Sequence, residues 1–365
     1  MDDKPIRVVV ADDSMVCREM IKQILESSED IGVVGTATDG AEAVRLVKEL
    51  KPSIVTLDMH MPQMGGLEAT EQIMAYTPTP ILIVSTSVNE QGTSSAFEAL
   101  KAGALDVLKK PEPQIWSDLA VVGDDLIRKV RMLSRLRVVT HLKGRRPGER
   151  PHSDRPAVRQ RKPGAKYRIL ALGSSTGGPL ALLRILSKLP ADFPIGIVVA
   201  QHIADGFIQG LVEWLDAECE LKVRVGGQGD AVRAGEVVVA PTGHHMTVEA
   251  GRVVLLKPRP TDVYKPSVDM LFSSVAKSYG AEAIGVILTG MGADGAGGLR
   301  LLSDAGALTL AQDELTSTVF GMPKAAIEMN AAGTVLPIDQ IAEEVMRLVS
   351  DEQDYGSPNL TTQTT

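Results

Sequence analysis

Tyr167-Arg168-Ile169-Leu170-Ala171-Leu172-Gly173-Ser174-Ser175-Thr176-Gly177-Gly178-Pro179 is the stretch on which the reading of this chain turns. An apolar run suited to a buried strand stops at a glycine. Small residues follow, and a proline opens the amphipathic run Leu180-Ala181-Leu182-Leu183-Arg184-Ile185-Leu186. That is strand, tight turn, helix, with Ser175 at the turn in a Gly-x-Ser-x-Gly. Such a turn lifts a serine oxygen clear of the sheet edge and aims the first N–H groups of the next helix at whatever the oxygen attacks. The same pattern also suits a plain glycine-rich turn or a phosphate cradle. The flanking chain has to decide.

Downstream, the continuous apolar run Ile195–Ala200 reads as a central parallel strand and ends in Gln201-His202. Another such run, Ala283–Leu288, ends in Thr289-Gly290-Met291-Gly292-Ala293-Asp294-Gly295 before a helical segment, Leu299–Ala305. Three strand–helix units therefore place Ser175, His202 and Asp294 past strand carboxyl ends, the edge where open α/β sheets bind ligands. A serine nucleophile needs a base to take its proton and an acid to orient the base. Glycines around Ser175 and Asp294 leave backbone N–H groups accessible to an oxyanion. Spacing leaves His244 and His245, which enter a predicted hairpin turning at Ala250-Gly251, as competing bases. Asp269, in Lys265-Pro266-Ser267-Val268-Asp269, competes with Asp294, although a helix start is its simpler reading.

Residues 1–130 repeat the strand–helix pattern. Apolar strands are expected at Ile6–Ala11, Val33–Ala37, Ile54–Leu57, Ile81–Val84 and Asp106–Leu108, separated by helical segments. Asp12, Asp13, Asp58, Ser85 and Lys110 all fall at the carboxyl ends of these strands. Carboxylates converging there repel one another unless a hard cation such as Mg²⁺ sits among them. A lysine and a small hydroxyl beside them supply donors for a phosphoryl group. Taken singly, Asp12 or Asp13 could merely cap the following helix.

Val-Ala-Asp-Asp-Ser (10–14), Leu-Asp-Met-His-Met-Pro (57–62), Val-Ser-Thr (84–86) and Lys-Lys-Pro (109–111) resemble a response-regulator receiver domain. The resemblance implies that Asp58 takes phosphate from a histidine kinase and that Asp12 and Asp13, with Asp58, hold Mg²⁺. It further implies that Lys110 contacts the phosphoryl group and that Ser85 is the switch hydroxyl. Gly65-Gly66 stands where that family has Asp-Gly.

The order Ser, His, Asp differs from that of the α/β-hydrolases, whose acid precedes the histidine, so the likeness of the serine turn to lipases is local. Gly-Ser-Ser-Thr-Gly-Gly-Pro (173–179), Gln-His (201–202), Ala-Pro-x-Gly-His-His (240–245), Pro-Ser-Val-Asp (266–269) and Leu-Thr-Gly-Met-Gly-x-Asp-Gly (288–295) together resemble the catalytic domain of the chemotaxis-type protein-glutamate methylesterase, the CheB family. The resemblance runs from about Arg168 to Val349, and a receiver ahead of that domain is the family's architecture. It implies Ser175 as nucleophile, His202 as general base, Asp294 as its orienter, the Met291 N–H as an oxyanion donor and Thr176 as a supporting hydroxyl. The implied substrate is a γ-glutamyl methyl ester on a chemoreceptor, with receptor glutamines as a second substrate. No metal is implied for that hydrolysis. Thr316-Ser317-Thr318-Val319-Phe320-Gly321-Met322-Pro323 is expected to line the cleft.

Composition fits this division. The chain has 365 residues, long for one core, and only 3% aromatics, so the cores must be aliphatic. From Arg128 to Arg168 there are 15 Lys/Arg against 2 acids, so +13 sits in one proline-broken stretch and −21 in the rest of a chain of net charge −8. That pattern reads as a flexible basic linker. It argues against nucleic acid as a partner, because no aromatics are interleaved and neither flank is basic. No apolar run is long enough to span a membrane, and the acidic start carries no signal-type segment. Cys17 and Cys219 have no metal-ligand spacing and read as reduced packing residues.

The expected organisation is therefore two doubly wound parallel α/β domains: a receiver (1–130, flavodoxin-like), a basic linker (131–166), a Rossmann-like serine-hydrolase domain (167–350) and a polar disordered tail (351–365). The expected protein is a cytoplasmic monomer, a methylesterase and glutaminase activated by phosphorylation. The competing reading is a receiver-controlled regulator that binds a nucleotide at Gly173–Gly178 without hydrolysing anything.

Overall fold

The computed structural model describes residues 5–86, 90–111, 116–136, 138 and 167–350. Most of the expected linker and the whole of the expected tail lie outside the described residues. The chain divides into two compact units built on separate parallel sheets.

The first sheet is made by β1 (Ile6–Ala11), β2 (Ile31–Ala37), β3 (Ile54–Leu57), β4 (Ile81–Ser85) and β5 (Asp106–Lys109), in the order β2-β1-β3-β4-β5. Between and after the strands run α1 (Met15–Glu26), α2 (Gly40–Leu50), α3 (Gly66–Tyr76), α4 (Glu90–Ala102) and α5 (Trp116–Leu133). β3 and β4 are buried along their whole length, which is why they read as unbroken apolar runs rather than alternating ones. Val8, Val10, Ile54, Leu82 and Val84 pack on one face against Ile21, Leu25, Leu126 and Val130. The strand order reverses between β1 and β3, so the residues that follow those two strands, Asp12 and Asp58, meet at the switch point. Helix α5 continues to Leu133, past the point at which the basic composition suggests a linker.

The second sheet has seven strands, all parallel. In chain order its elements are β6 (Ile169–Ser174), α6 (Gly178–Leu186), β7 (Gly196–Gln201), α7 (Ile208–Glu218), β8 (Lys222–Val225) and β9 (Glu236–Val239). An antiparallel hairpin of β10 (His245–Glu249) and β11 (Arg252–Leu256) follows, then α8 (Val268–Tyr279), β12 (Ala283–Ile287), α9 (Ala296–Asp304), β13 (Leu308–Gln312), α10 (Met322–Glu328), β14 (Thr334–Leu336) and α11 (Ile338–Ser350). The strand order β14-β13-β12-β6-β7-β9-β8 reverses between β6 and β12. β6, β7 and β12, side by side at the centre, are buried at every residue.

The hairpin turns at Ala250 and Gly251, both with positive φ (48° and 76°), the conformation that matches a two-residue turn to the twist of its strands. β8 and β9 have no counterpart in the sequence reading. β8, at the sheet edge, reads Lys222-Val223-Arg224-Val225, where charges interrupt any apolar run.

Candidate active site

Ser175 is the first residue beyond β6, and His202 the first beyond β7. The two strands pair in register with Ser174 opposite Gln201, so Ser175 and His202 leave the sheet side by side, and the His202 N–H donates to the Ser174 carbonyl at 3.0 Å. Asp294 arrives from the other side of β6, on the loop between β12 and α9.

His202 and Asp294 are joined: His202 Nε2 lies 2.8 Å from Asp294 Oδ2. His202 Nδ1 is buried and, among the described residues, without a hydrogen-bond partner. The proton therefore belongs on Nε2, and Nδ1 holds a free lone pair on the ring's other edge. Tyr264 lies flat on the imidazole, with ring centroids 4.4 Å apart.

Asp294 is held by the start of α8. Its Oδ2 accepts the Val268 N–H at 2.7 Å, and its Oδ1 accepts the Asp269 N–H at 3.1 Å and the Ser267 hydroxyl at 2.9 Å. Burial pushes its carboxyl upward, but the hydrogen bond and charge of His202, with the Val268 and Asp269 N–H groups, outweigh burial and hold it below its ordinary value. Asp294 is thus kept ionised.

The competitors are committed elsewhere. Asp269 sits in the first turn of α8 and accepts the Gly298 N–H at 2.6 Å, near the start of α9. Burial, with the Asp294 charge beside it, raises its carboxyl. His245 is buried, and both its ring nitrogens are used: Nε2 faces Asp262 Oδ2 at 3.0 Å and Nδ1 accepts the Ser267 N–H at 3.1 Å. His244 precedes β10 and stands outside these bonds.

Ser175 is partly exposed, while Ser174 and Thr176 on either side are buried. Its N–H donates to the Thr289 carbonyl at 3.0 Å, and its carbonyl accepts from Gln201 Nε2 at 2.8 Å. The same Nε2 donates to the His202 carbonyl at 2.7 Å, and Gln201 Oε1 accepts the Ser174 hydroxyl at 2.5 Å. One buried amide therefore ties the two loops together.

Close packing explains the glycines of this loop. A Cβ on Gly178 would lie 2.0 Å from Gln201 Oε1, and one on Gly177, whose φ is +75°, would lie 2.3 Å from Thr318 Oγ1. Any larger residue at either position would push against Gln201 or Thr318. Thr318 belongs to the stretch expected at the cleft, and that stretch is fixed beside it. Thr289 Oγ1 accepts the Val319 N–H at 2.9 Å, and Met322 N–H donates to the Gly290 carbonyl at 2.9 Å. Met291 is partly exposed, and among the described residues its N–H donates to no other group.

In the first unit, Asp12 and Asp58 are buried and Asp13 is exposed, and each offers an oxygen within 4.8 Å of the others. That donor set fits a hard divalent cation. Lys110 Nζ lies 2.8 Å from both Asp12 Oδ2 and Asp58 Oδ2. Ser85 is fully buried, and among the described residues its hydroxyl has no hydrogen-bond partner. Helix α1 is capped by Ser14, not by an aspartate; Asp12 Oδ1 instead accepts the Ser14 N–H at 2.9 Å. Gly66 packs so closely that a Cβ there would lie 2.2 Å from the Asp58 carbonyl, whereas Gly65 is the N-cap of α3 and supplies no capping side chain.

Sequence reasoning missed Gln201, Tyr264, Asp262 and the role of Ser267. Only Gln201 carried a signal, as the last residue of a strand ahead of a candidate base.

A parallel α/β unit with an acidic switch point, followed by a second unit with serine, histidine and aspartate at one sheet edge, defines a receiver joined to a hydrolase-type domain. Comparison with known proteins agrees. Residues 8–116 match the response regulator receiver domain model, and residues 170–345 match that of the CheB methylesterase. The chain is 44% identical to protein-glutamate methylesterase/protein-glutamine glutaminase 2 of Anaeromyxobacter dehalogenans (strain 2CP-C), across 95% of this chain and 98% of the relative. It is 43% identical to protein-glutamate methylesterase/protein-glutamine glutaminase 1 of Syntrophus aciditrophicus (strain SB), across 94% and 98%. The crystal structure of the Thermotoga maritima CheB methylesterase catalytic domain is 39% identical, covering 50% of this chain and 100% of that one, with a TM-score of 0.49. The chain belongs to the protein-glutamate methylesterase/protein-glutamine glutaminase family, an enzyme family that carries a receiver domain.

Proposed function

We propose that the chain hydrolyses γ-glutamyl methyl esters on chemoreceptors, deamidates receptor glutamines at the same site, and is activated by phosphorylation of Asp58. The observation that carries this reading is the His202–Asp294 pair, 2.8 Å apart, on a strand end that leaves the sheet next to that of Ser175.

Ser175 Oγ attacks the ester carbonyl carbon as its proton passes to His202 Nδ1. The oxyanion takes the Met291 N–H, with Thr176 supporting the nucleophile turn. Collapse breaks the C–O bond, and His202 returns the proton to the leaving methoxide, releasing methanol. Water then gives a proton to His202 and attacks the acyl-serine. A second collapse restores Ser175 and leaves a glutamate. With a glutamine side chain the leaving group is ammonia. Asp294 stabilises the imidazolium formed in both halves.

In the receiver, the Asp58 carboxylate takes the phosphoryl group from a kinase histidine. Lys110 meets a phosphoryl oxygen, and the unpartnered Ser85 hydroxyl supplies the hydrogen bond that reports phosphorylation. Asp12, Asp13 and Asp58 would hold Mg²⁺, which neutralises charge on the transferring group when bound.

Methanol release from membranes bearing methylated chemoreceptors tests the reading. Turnover should vanish in Ser175→Ala with the fold intact, and should rise when a small phosphodonor is added to the parent but not to Asp58→Ala. Undiminished turnover in Ser175→Ala would refute the hydrolytic assignment, and equal rates with and without phosphodonor would refute the activation.

A further inference from the structure

We propose that His245 is a positioning residue for Asp294, acting through Ser267, with Asp262 fixing the tautomer that makes this possible. The proposal rests on Asp294 being the residue that orients His202.

His245 opens β10 and is only 1% exposed, in a hairpin that buries Met246, Thr247, Val248 and Val253. Because Nδ1 accepts the Ser267 N–H, that nitrogen carries no proton, so the ring proton sits on Nε2 and is donated to Asp262. Asp262 is prepared for it. The Arg259 N–H at 2.7 Å, then His245, hold its carboxyl at about 2, so it stays a carboxylate and keeps demanding the Nε2 proton. His245 is thereby locked as an acceptor toward Ser267.

Ser267 is where the two ends meet. It is the N-cap of α8; its N–H is taken by His245, and its hydroxyl donates to Asp294 Oδ1. The next two backbone N–H groups, Val268 and Asp269, also point at Asp294. Three of the four groups that grip Asp294 thus come from residues 267–269, and the fourth is His202 itself. A shift of Ser267 moves all three together. A leucine at 245 is of similar size yet would leave the Ser267 N–H without its acceptor and take the Nε2 donor from Asp262. The histidine is needed for its two nitrogens, not for its volume.

The test uses the full chain and methanol release from methylated receptor membranes, with His245→Leu, His245→Asn and Ser267→Ala. His245→Leu should lower kcat by about ten- to a hundredfold, the scale set by a small misplacement of a catalytic group, with KM little changed. His245→Asn can offer a carbonyl oxygen where Nδ1 stood and should recover most of the loss. Ser267→Ala should lower kcat about tenfold, on the same positioning scale. The proton NMR signal of His202 Nε2–H on Asp294 should broaden or shift in His245→Leu and persist in His245→Asn. Parental kcat and an unshifted signal in His245→Leu would overturn the proposal, as would equal losses in the leucine and asparagine variants. If His245→Leu does not fold, parental kcat in Ser267→Ala overturns it. Turnover by Ser175→Ala would instead remove the hydrolytic reading on which the proposal stands, so the two failures are separable.

Discussion

The imidazole of His202 and the phenol of Tyr264 lie face to face, their planes only 6° from parallel. The stack covers one face of the ring, while Asp294 fixes one edge, so the free Nδ1 is confined to a single direction. Aromatic pairs contribute about 0.5–1.5 kcal/mol beyond area, enough for a two- to tenfold effect on a step that depends on ring orientation. Tyr264→Phe should keep the parental kcat, and Tyr264→Ala should lose two- to tenfold, measured as methanol release.

Gln201 makes three hydrogen bonds from a buried position. Gln201→Leu strands the Ser174 hydroxyl and leaves the carbonyls of Ser175 and His202 each short of a donor. An unpaired buried polar group costs about 1–3 kcal/mol, so the variant should unfold at clearly lower urea concentration and lose turnover as well. Unchanged unfolding would show that the amide holds nothing.

Asp58 answers pH in the opposite sense to a salt-bridged carboxylate. Burial raises it, the nearby Asp12 adds to the rise, and Lys110 offsets them only in part. Its folded value thus lies above its unfolded one. The stability it contributes is full below the unfolded value and is lost as pH rises through the folded value. At neutral pH without added divalent cation, Asp58→Asn should therefore stabilise the receiver in urea unfolding, with the gain shrinking toward acid pH.

For Asp294 the sign reverses. Burial works against the charge, yet His202 and the α8 N–H groups leave the folded value below the unfolded one. Its stability is present above the unfolded value and is lost as pH falls through the folded value. Asp294→Asn should be less stable than the parent at neutral pH, and the difference should close in acid, followed by circular dichroism melts.

Gly65→Asp should stabilise the receiver by a few tenths of a kcal/mol. Gly65 caps α3 with an extended backbone (φ −75°, ψ 168°) that any residue adopts, and it leaves the first-turn N–H groups without a side-chain acceptor. Thermal melts of the two proteins measure the gain.

Much of this arrangement was legible in the sequence because buried parallel strands are written as continuous apolar runs, and the polar residue ending each run marks the sheet edge. Asp12, Asp58, Ser175 and His202 were singled out as candidates that way. The contest between His202 and His245 could not be settled so. His202 ends an apolar run and His245 follows Ala240-Pro241-Thr242-Gly243-His244, yet only hydrogen bonding shows that His245 has neither nitrogen free. Tyr264, Asp262 and Ser267 come from an irregular segment between a hairpin and a helix, where no period exists to reveal which side chain returns to the site. β8 escaped because charges interrupt its apolar run at the sheet edge.

The central strands stand in the order β12, β6, β7, although the chain visits them as β6, β7, β12. Ser175, His202 and Asp294 owe their nearness to neighbouring strands rather than to the path between them. A circular permutant with new ends at the Ala250-Gly251 turn and the old ends of the catalytic domain joined would carry the acid ahead of the serine in sequence. It would still present the same three side chains at the same edge, so the succession of these residues along the polypeptide records ancestry and imposes nothing on the chemistry.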